Sequence, residues 1–464
     1  MNTVISNKIT VSDPIPELTA WANRNLNLPN PEYTKKMRLG YSTWNTPQTL
    51  TLYERHGNRI ILPFGTLREI LSYLRKGEVY TDFCYAGSVD YGQRIPLYDY
   101  QTEALEALKK AKYGMLESAA GSGKTQIGIA LIQAWGTRAL WLCHTQDLLR
   151  QSKERAEQYI DKSLMGTITE GKVNIGKGIT FATVQTMVKL NLADYRDMWD
   201  VVIVDEAHRV SGSPTRMTQY SKVLGGLSAR HKYGLTATPD RSDGLIRATK
   251  ARLGEVVYKV PDEAVADKIM KVGIKAIATD RGLDAECLNE DGTLNYTGMI
   301  TSLCKDEMRN LLINRYLFME KEHSCLILSD RLEQLAQIMN NLPPEMREKA
   351  VMIDGKMTSK KEKVLRENAL EQMRTGEKQY LFATYALAKE GLDVPRLDRL
   401  FLATPQKYHA TVVQSIGRIA RTFPGKEQPI AYDFVDNRIP YCMKAWKERC
   451  THYRKAHAFF VKGE

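Results

Sequence analysis

The chain has 464 residues, 43% hydrophobic and 26% charged, with a formal net charge of +12. That length accommodates about three domains, and the apolar content is ordinary for a folded globular protein, which excludes a disordered or collagen-like chain. The positive balance favours a polyanion, nucleic acid or anionic lipid, and no apolar run reaches the length of a membrane span.

The opening segment from Met1 to Asn7 lacks the apolar core of a secretory signal. The seven cysteines are scattered with no Cys-x-x-Cys pair, so free thiols in a reducing cytoplasm are expected. Cys450, His452 and His457 crowd together in a Lys/Arg-rich tail, a poor geometry for zinc, and no metal site is read there.

In chain order, residues 1–93 come first and read as a small α+β accessory domain. Leu50 and Leu52 alternate with Thr49, Thr51 and Tyr53, and His56-Gly57-Asn58 makes a turn before Arg59-Ile60-Ile61-Leu62, the pattern of a β-hairpin. Thr66 and Glu69 have capping-box spacing, and Leu67, Ile70, Leu71 and Leu74 recur at i, i+3, i+4 and i+7 of the helix that follows. The irregular, glycine-containing stretch 76–94 holds the boundary. Arg55 and Arg59 beside the hairpin turn fit a contact with duplex at a strand junction; simple packing of the module on the next domain is the other reading.

Residues 94–262 alternate strand and helix. An apolar stretch from Tyr113 to Leu116 leads into Ser118-Ala119-Ala120-Gly121-Ser122-Gly123-Lys124-Thr125, and Ile127, Ile129, Leu131 and Ile132 then follow a helical pattern. Strand, glycine loop, helix is the context of a phosphate-binding loop, whose backbone N–H groups curl around phosphate oxygens while the lysine reaches the β/γ-phosphates. Ser118 stands where a glycine is usual. Further strands are expected at Ala139–Cys143, Gly178–Ala182, Val201–Val204 and Lys232–Thr236, giving a parallel sheet wrapped by helices. Asp205-Glu206-Ala207-His208 follows the β-branched run at Val201–Val204, at the carboxyl end of a buried strand where open α/β sheets bind ligands. Loop and acid pair together imply a nucleoside triphosphatase.

Residues 263–305 are mixed in character, with Asn289-Glu290-Asp291-Gly292 as a turn or linker. A second strand–helix alternation fills 306–464, with strands expected at Cys325–Leu328, Ala350–Ile353, Gln379–Ala383, Arg399–Ala403 and Ile430–Phe434. Gln414, Gly417, Arg418 and Arg421 fall at i, i+3, i+4 and i+7, on one face of a predicted helix. Two arginines on that face suit phosphates, and Gly417 would permit close approach. Beyond residue 437, basic residues alternate with Tyr441, Trp446, Tyr453 and Phe459, which reads equally as a groove-lining helix or as one burying its aromatics.

From Leu97 to Phe434 the chain resembles the superfamily 2 helicases and translocases. Leu97-Tyr98-Asp99-Tyr100-Gln101 resembles the adenine-recognition element, with Gln101 on the purine edge and Tyr98 where many relatives carry arginine. Leu142-Cys143-His144-Thr145 and Thr183-Val184-Gln185 resemble elements that touch the nucleic-acid backbone, with His144, Thr145, Thr183, Gln185 and Thr384 as candidate contacts. Leu235-Thr236-Ala237-Thr238-Pro239 resembles the segment coupling nucleotide site to strand path. Ala383-Thr384 with Glu390-Gly391-Leu392-Asp393 resembles motif five, placing Gly391 and Asp393 near the nucleotide, and the segment Gln414 to Arg421 resembles motif six. Gly234 to Gly244 and Ile416 to Arg421 look closest to the XPB-like branch, and the compact size is similar to phage branch-migration helicases of the UvsW type.

The resemblance implies an α/β fold of two tandem RecA-like parallel-sheet lobes, ATP in the cleft between them, and Mg²⁺ on Thr125 and Asp205. Lys124 and the loop from Ser118 to Thr125 would hold phosphates, Glu206 would activate water, and Gln414, Arg418 and Arg421 would act from the second lobe. The implied function is ATP-dependent unwinding or branch migration of forked and junction DNA in replication, recombination or repair. Single-stranded and branched DNA would be the partners, in a bacterial or phage-infected host cytoplasm. An RNA helicase, or an ATP-switched nucleic-acid-binding protein, are the alternatives.

Overall fold

The computed structural model describes all residues except 39, 120, 212–213, 238–243, 266–268, 285–286, 355–359, 390–391, 393, 407–408, 457 and 462–464. It divides into two compact units, Met1–Ala264 and Val265–Glu464.

The larger sheet of the first unit has eight strands. In spatial order these are Lys172–Asn174, Met165–Thr169, Ile179–Thr183, Ala139–Cys143, Val201–Asp205, His231–Thr236, Gly114–Glu117 and Val256–Lys259. All neighbours are parallel except the Lys172–Asn174 edge. Val201 to Asp205 are buried throughout, as a continuous apolar run covered by helices on both faces requires. The loop-bearing strand, the His231–Thr236 strand and the acid-bearing strand are consecutive neighbours, so their carboxyl ends share one rim.

The N-terminal module builds its own five-stranded sheet, ordered Glu54–His56, Arg59–Pro63, Lys8–Ser12, Asn2–Ile5 and Glu78–Thr81. Two sequence expectations are corrected here. The stretch around Leu50 and Leu52 is not the first arm of the hairpin: Thr49–Thr51 pairs with Asn27–Pro29, and Leu52 N–H donates to the Leu26 carbonyl at 2.8 Å while both leucines enter the core. Glu54–His56 takes the hairpin position instead. The Thr66–Glu69 capping box does not form, because Thr66 Oγ1 donates to the Pro63 carbonyl at 2.7 Å and Glu69 accepts both guanidinium nitrogens of Arg247 at 2.7 and 2.8 Å.

That bidentate pair is one of several ties between module and lobe. Tyr113, Ala248 and Ala251 of the lobe belong to the same apolar cluster as Phe64, Ile70 and Leu74. Gly65 meets the C-terminal turn of the Ile246–Leu253 helix so closely that an added Cβ would lie 2.4 Å from the Lys250 carbonyl oxygen and 2.5 Å from Gly254 N.

In the second unit a seven-stranded parallel sheet runs Ala350–Ile353, Tyr380–Thr384, Cys325–Ser329, Arg399–Leu402, Ile430–Val435, Gly273–Ala278 and Phe459–Phe460. The mixed stretch 263–305 supplies the Gly273–Ala278 strand, whose neighbour Ile430–Val435 comes from far along the chain. The C-terminal helix Pro440–Lys455 packs its aromatics inward: Trp446 and Tyr453 each lie edge-on to Phe460, and Arg449 is buried in a double hydrogen bond with Asp433 at 2.7 and 2.9 Å. Of the aromatics noted in this tail, Tyr453 is buried and Tyr441 and Trp446 are half-buried, whereas Phe459 is exposed, as are Lys444 and Lys447. Among the described residues no helix is long and apolar enough to cross a membrane, and all seven cysteines are free.

Gly65→Ala is expected to destabilise the first unit by about 1–3 kcal/mol, the usual cost of overpacking against backbone. Urea denaturation reads it directly, and an unchanged midpoint would show that the module is not seated this tightly on the Ile246–Leu253 helix.

Candidate nucleotide site and nucleic-acid face

The glycine loop leaves the Gly114–Glu117 strand and is pinned at once to its neighbour, Ser118 N–H donating to the Thr236 carbonyl at 2.9 Å. Ser118 in place of glycine is accommodated by use of its hydroxyl, which pairs with that of Ser122, while Ser122 Oγ also bonds the Ala119 carbonyl at 2.7 Å. Gly121 and Gly123 have φ of +88° and +81°, the left-handed region open to glycine. At Gly123 a Cβ would also lie 2.4 Å from Gln101 Nε2. The helix Lys124–Trp135 starts there, its first N–H groups and positive dipole end facing the loop. Lys124 Nζ folds back onto the Ser118 and Ala119 carbonyls, both at 3.1 Å, within the concavity a phosphate would fill. Thr125 is half-buried in the first turn, and Ala120 lies outside the described residues.

Across the rim, Asp205 Oδ1 accepts the Glu206 N–H at 2.9 Å and Oδ2 accepts the Ser152 hydroxyl at 3.1 Å. Ser152 was not singled out from the sequence, and no local pattern marks it; it arrives on the Gln146–Ala156 helix. Glu206 has φ of +50°, a left-handed backbone that costs a non-glycine residue on the order of 1–3 kcal/mol. The turn holds its carboxylate beside His208, whose Nδ1 lies 3.2 Å from Glu206 Oε2 and 3.2 Å from Thr236 Oγ1. Glu206 Oε2 is buried with no well-formed hydrogen bond among the described residues. Burial and the adjoining Glu206 charge push the Asp205 carboxyl up; burial also opposes the Glu206 charge, but His208 and Lys124 outweigh it and hold that carboxyl down. Glu206 is therefore the more acidic of the two and stays ionised, the state in which it can accept a proton from water. Two buried carboxylates on the rim beside an anion-binding loop fit a nucleoside triphosphate with its divalent cation.

Gln101 is buried and committed to the loop. Its Oε1 accepts the Tyr98 N–H at 3.1 Å and its Nε2 donates to the Ser122 carbonyl at 3.2 Å, beside Tyr100, whose hydroxyl bonds the same carbonyl at 3.0 Å. This side chain braces the phosphate loop from behind. Tyr98, half-exposed, stacks on Tyr100 with centroids 5.9 Å apart. Tyr100 is a second brace that the sequence signalled only by adjacency to Gln101.

Of the candidate strand contacts, Thr145 caps the Gln146–Ala156 helix by accepting the Leu148 N–H at 3.3 Å, and Thr183 donates to Thr186 at 3.0 Å. Gln185 Nε2 donates to the His144 carbonyl at 2.7 Å and lies 3.2 Å from its ring nitrogen, so these two segments are tied together at the ends of adjacent strands. Thr384 ends the Tyr380–Thr384 strand, half-buried.

In the second unit the helix His409–Ile419 carries Gln414 and Arg418, both half-buried. Arg418 donates to the carbonyls of Ala388 and Leu392 at 2.9 and 3.1 Å, bracing the segment that resembles motif five. Gly391 and Asp393 lie outside the described residues. Arg421 is not on that helix face, contrary to the expectation from spacing. The helix ends at Ile419, Ala420 accepts the Met270 N–H at 2.7 Å, and Arg421 forms a backbone bridge with Ile269.

Two family models match the chain: residues 94–241 match the type III restriction enzyme res subunit, and residues 307–423 the helicase conserved C-terminal domain. A chain of Acanthamoeba polyphaga mimivirus, provisionally named ATP-dependent RNA helicase L396, is 27% identical over 386 residues, spanning 81% of this chain and 69% of that one. DNA 3'-5' translocase XPB2 of Sulfurisphaera tokodaii is 26% identical over 364 residues, 71% of this chain and 79% of its own. In fold, S. cerevisiae Dbp5 bound to RNA and ADP BeF3 aligns over 86% of this chain and 94% of its own at TM-score 0.56 and 16% identity. The two matched regions in order, on two largely parallel α/β sheets, with a phosphate loop and an acid pair on one rim, place the chain in superfamily 2: it is an ATP-hydrolysing helicase, similar to the XPB-type translocase of Sulfurisphaera tokodaii.

Proposed function

We propose that this helicase is a motor that steps along one strand of DNA and uses ATP and Mg²⁺ to unwind or branch-migrate forked and junction DNA. The observation that carries the proposal is the shared rim: phosphate loop, ionised Glu206 and Thr236 sit at the ends of three adjacent strands, linked by His208. A protein that used ATP only as a switch would not need an ionised carboxylate held in a strained turn beside the phosphate loop. The mimivirus relative's name favours a second reading, in which the strand is RNA.

In the proposed cycle, Lys124 releases the Ser118 and Ala119 carbonyls to pair with phosphate oxygens, joined by the loop N–H groups. Thr125 and Asp205 would hold the cation. The bound nucleotide and its cation would supply the phosphoanhydride and the charge neutralisation that phosphoryl transfer needs. Glu206 Oε2 orients a water and takes its proton, while His208 transmits the change to Thr236 and the segment beyond it. Arg418 and Arg421 are proposed to stabilise charge on the transferring group, with Gln414 beside them. Because Arg418 also braces the Ala388–Leu392 segment, a phosphate-dependent move of this side chain would change the shape of motif five. His144, Thr145, Thr183, Gln185 and Thr384 are proposed to line the strand path, held mostly through phosphates.

Glu206→Gln tests the assignment. The variant is expected to retain ATP binding and to lose turnover by roughly 10²–10⁴, the contribution of a general base, together with all displacement of a strand from forked DNA. Turnover at the parental rate would show that another group activates the water.

Gly123→Ala is expected to abolish ATP binding with little loss of secondary structure, since the substitution strains a left-handed backbone and drives a Cβ onto Gln101. Equilibrium binding of a fluorescent ATP analogue reads the outcome, and parental affinity would contradict the loop geometry.

Arg421→Ala and Arg418→Ala are expected to lower turnover, by up to about 10³, while strand affinity without nucleotide stays near the parental value. Normal turnover with weakened strand binding would move these arginines to the strand path.

A further inference from the structure

The N-terminal module contains Pro31-Glu32-Tyr33-Thr34-Lys35-Lys36-Met37-Arg38, a helix, followed by a loop that carries Tyr41 and Trp44. Trp44 is 92% exposed, whereas the other five tryptophans of the chain are buried or half-buried. Tyr41 and Met37, close to it in sequence, are exposed too. An indole gains much from burial, so leaving one in water on an ordered loop marks a surface kept for a partner.

From Tyr41 to Gln48 the backbone is tied down at several points. Tyr41 N–H donates to the Lys36 carbonyl at 2.9 Å, Thr46 N–H to the Thr43 carbonyl at 2.9 Å, and Lys36 Nζ to Thr46 Oγ1 at 2.6 Å. Asn30 ties down the far end through the Pro47 and Gln48 carbonyls at 2.7 and 3.0 Å. The backbone that carries the rings is thus held before a strand arrives, so less of its freedom is lost on binding. Charge indicates the occupant: the sequence from 31 to 48 holds three basic residues, Lys35, Lys36 and Arg38, against one acid, Glu32, which is 3.6 Å from Lys36. Exposed rings that follow directly on a basic helix match a strand whose bases stack on aromatic faces while its phosphates meet lysine.

We infer that the helix Pro31–Arg38 and the segment Tyr41–Gln48 form a stacking platform for unpaired bases of a single nucleic-acid strand, with Trp44 and Tyr41 as the rings and Lys35 for the backbone. The inference rests on the motor reading above and adds a strand contact outside the two lobes. It also differs from the sequence-level expectation for this module, which pointed to the Arg55–Arg59 hairpin and to duplex.

The test uses the full chain and its W44A, Y41A and double variants. The probes are labelled oligothymidylate, oligouridylate, an abasic deoxyribose-phosphate strand of equal length, and phosphatidylglycerol vesicles. Trp44→Ala is expected to weaken binding of the base-bearing strands roughly tenfold, the scale of one lost base–aromatic stack, and to leave abasic binding and strand-free ATPase unchanged. The DNA and RNA arms show which strand is preferred. Equal affinities for parent and double variant would overturn the inference, as would an equal loss on the abasic strand. Loss of binding only to phosphatidylglycerol vesicles would assign the patch to a lipid surface and overturn it too. Failure of the motor reading is seen separately, as a parental ATPase that no strand stimulates.

Discussion

The lateral pairing of three parallel strands is the constraint on which the rest of the first unit depends. Gly114–Glu117, His231–Thr236 and Val201–Asp205 lie side by side, so three segments distant in sequence end on one rim. The Ser118 N–H to Thr236 carbonyl bond then fixes the phosphate loop to the strand end that His208 also touches. A change in the phosphate loop is thereby mechanically linked to Thr236 without passing through solvent. The β-branched run Val201–Val204 makes this possible, since only a strand buried on both faces can occupy the middle of such a sheet.

Glu206 shows how local strain serves that arrangement. Its left-handed backbone is affordable because the surrounding rim over-determines it: Asp205 holds its N–H and His208 sits against its carboxylate. The two consecutive carboxylates thereby sit in different surroundings, Asp205 on the Ser152 hydroxyl and the Glu206 N–H, Glu206 against His208. Gln101 and Tyr100 brace the loop from behind through a single carbonyl, that of Ser122.

Much of this was legible in the sequence because it is local. The phosphate loop, the acid pair and the central strands announce themselves within a few residues each. What was not legible is non-local. Period-two alternation at Leu50 and Leu52 marks a strand but not its partner, which proved to be Asn27–Pro29. Spacing placed Arg421 on a helix face, but the chain leaves the helix after Ile419 to meet Ile269 and Met270. Ser152 reaches Asp205 only through the tertiary fold. The Gly273–Ala278 strand was hidden in a stretch that reads as mixed because its partners lie at Ile430–Val435 and Phe459–Phe460. The aromatic–basic tail could be read two ways until Arg449 and Asp433 were seen to bury together.

The claim at the centre of this account is that ATP hydrolysis on the rim is coupled to a nucleic-acid strand. Steady-state phosphate release by the full chain, compared without nucleic acid and with single-stranded, duplex, forked and four-way DNA and with RNA, tests it most directly. Strong stimulation by single strands, and stronger by forked or four-way DNA, is the expected result. Hydrolysis indifferent to every nucleic acid would contradict it.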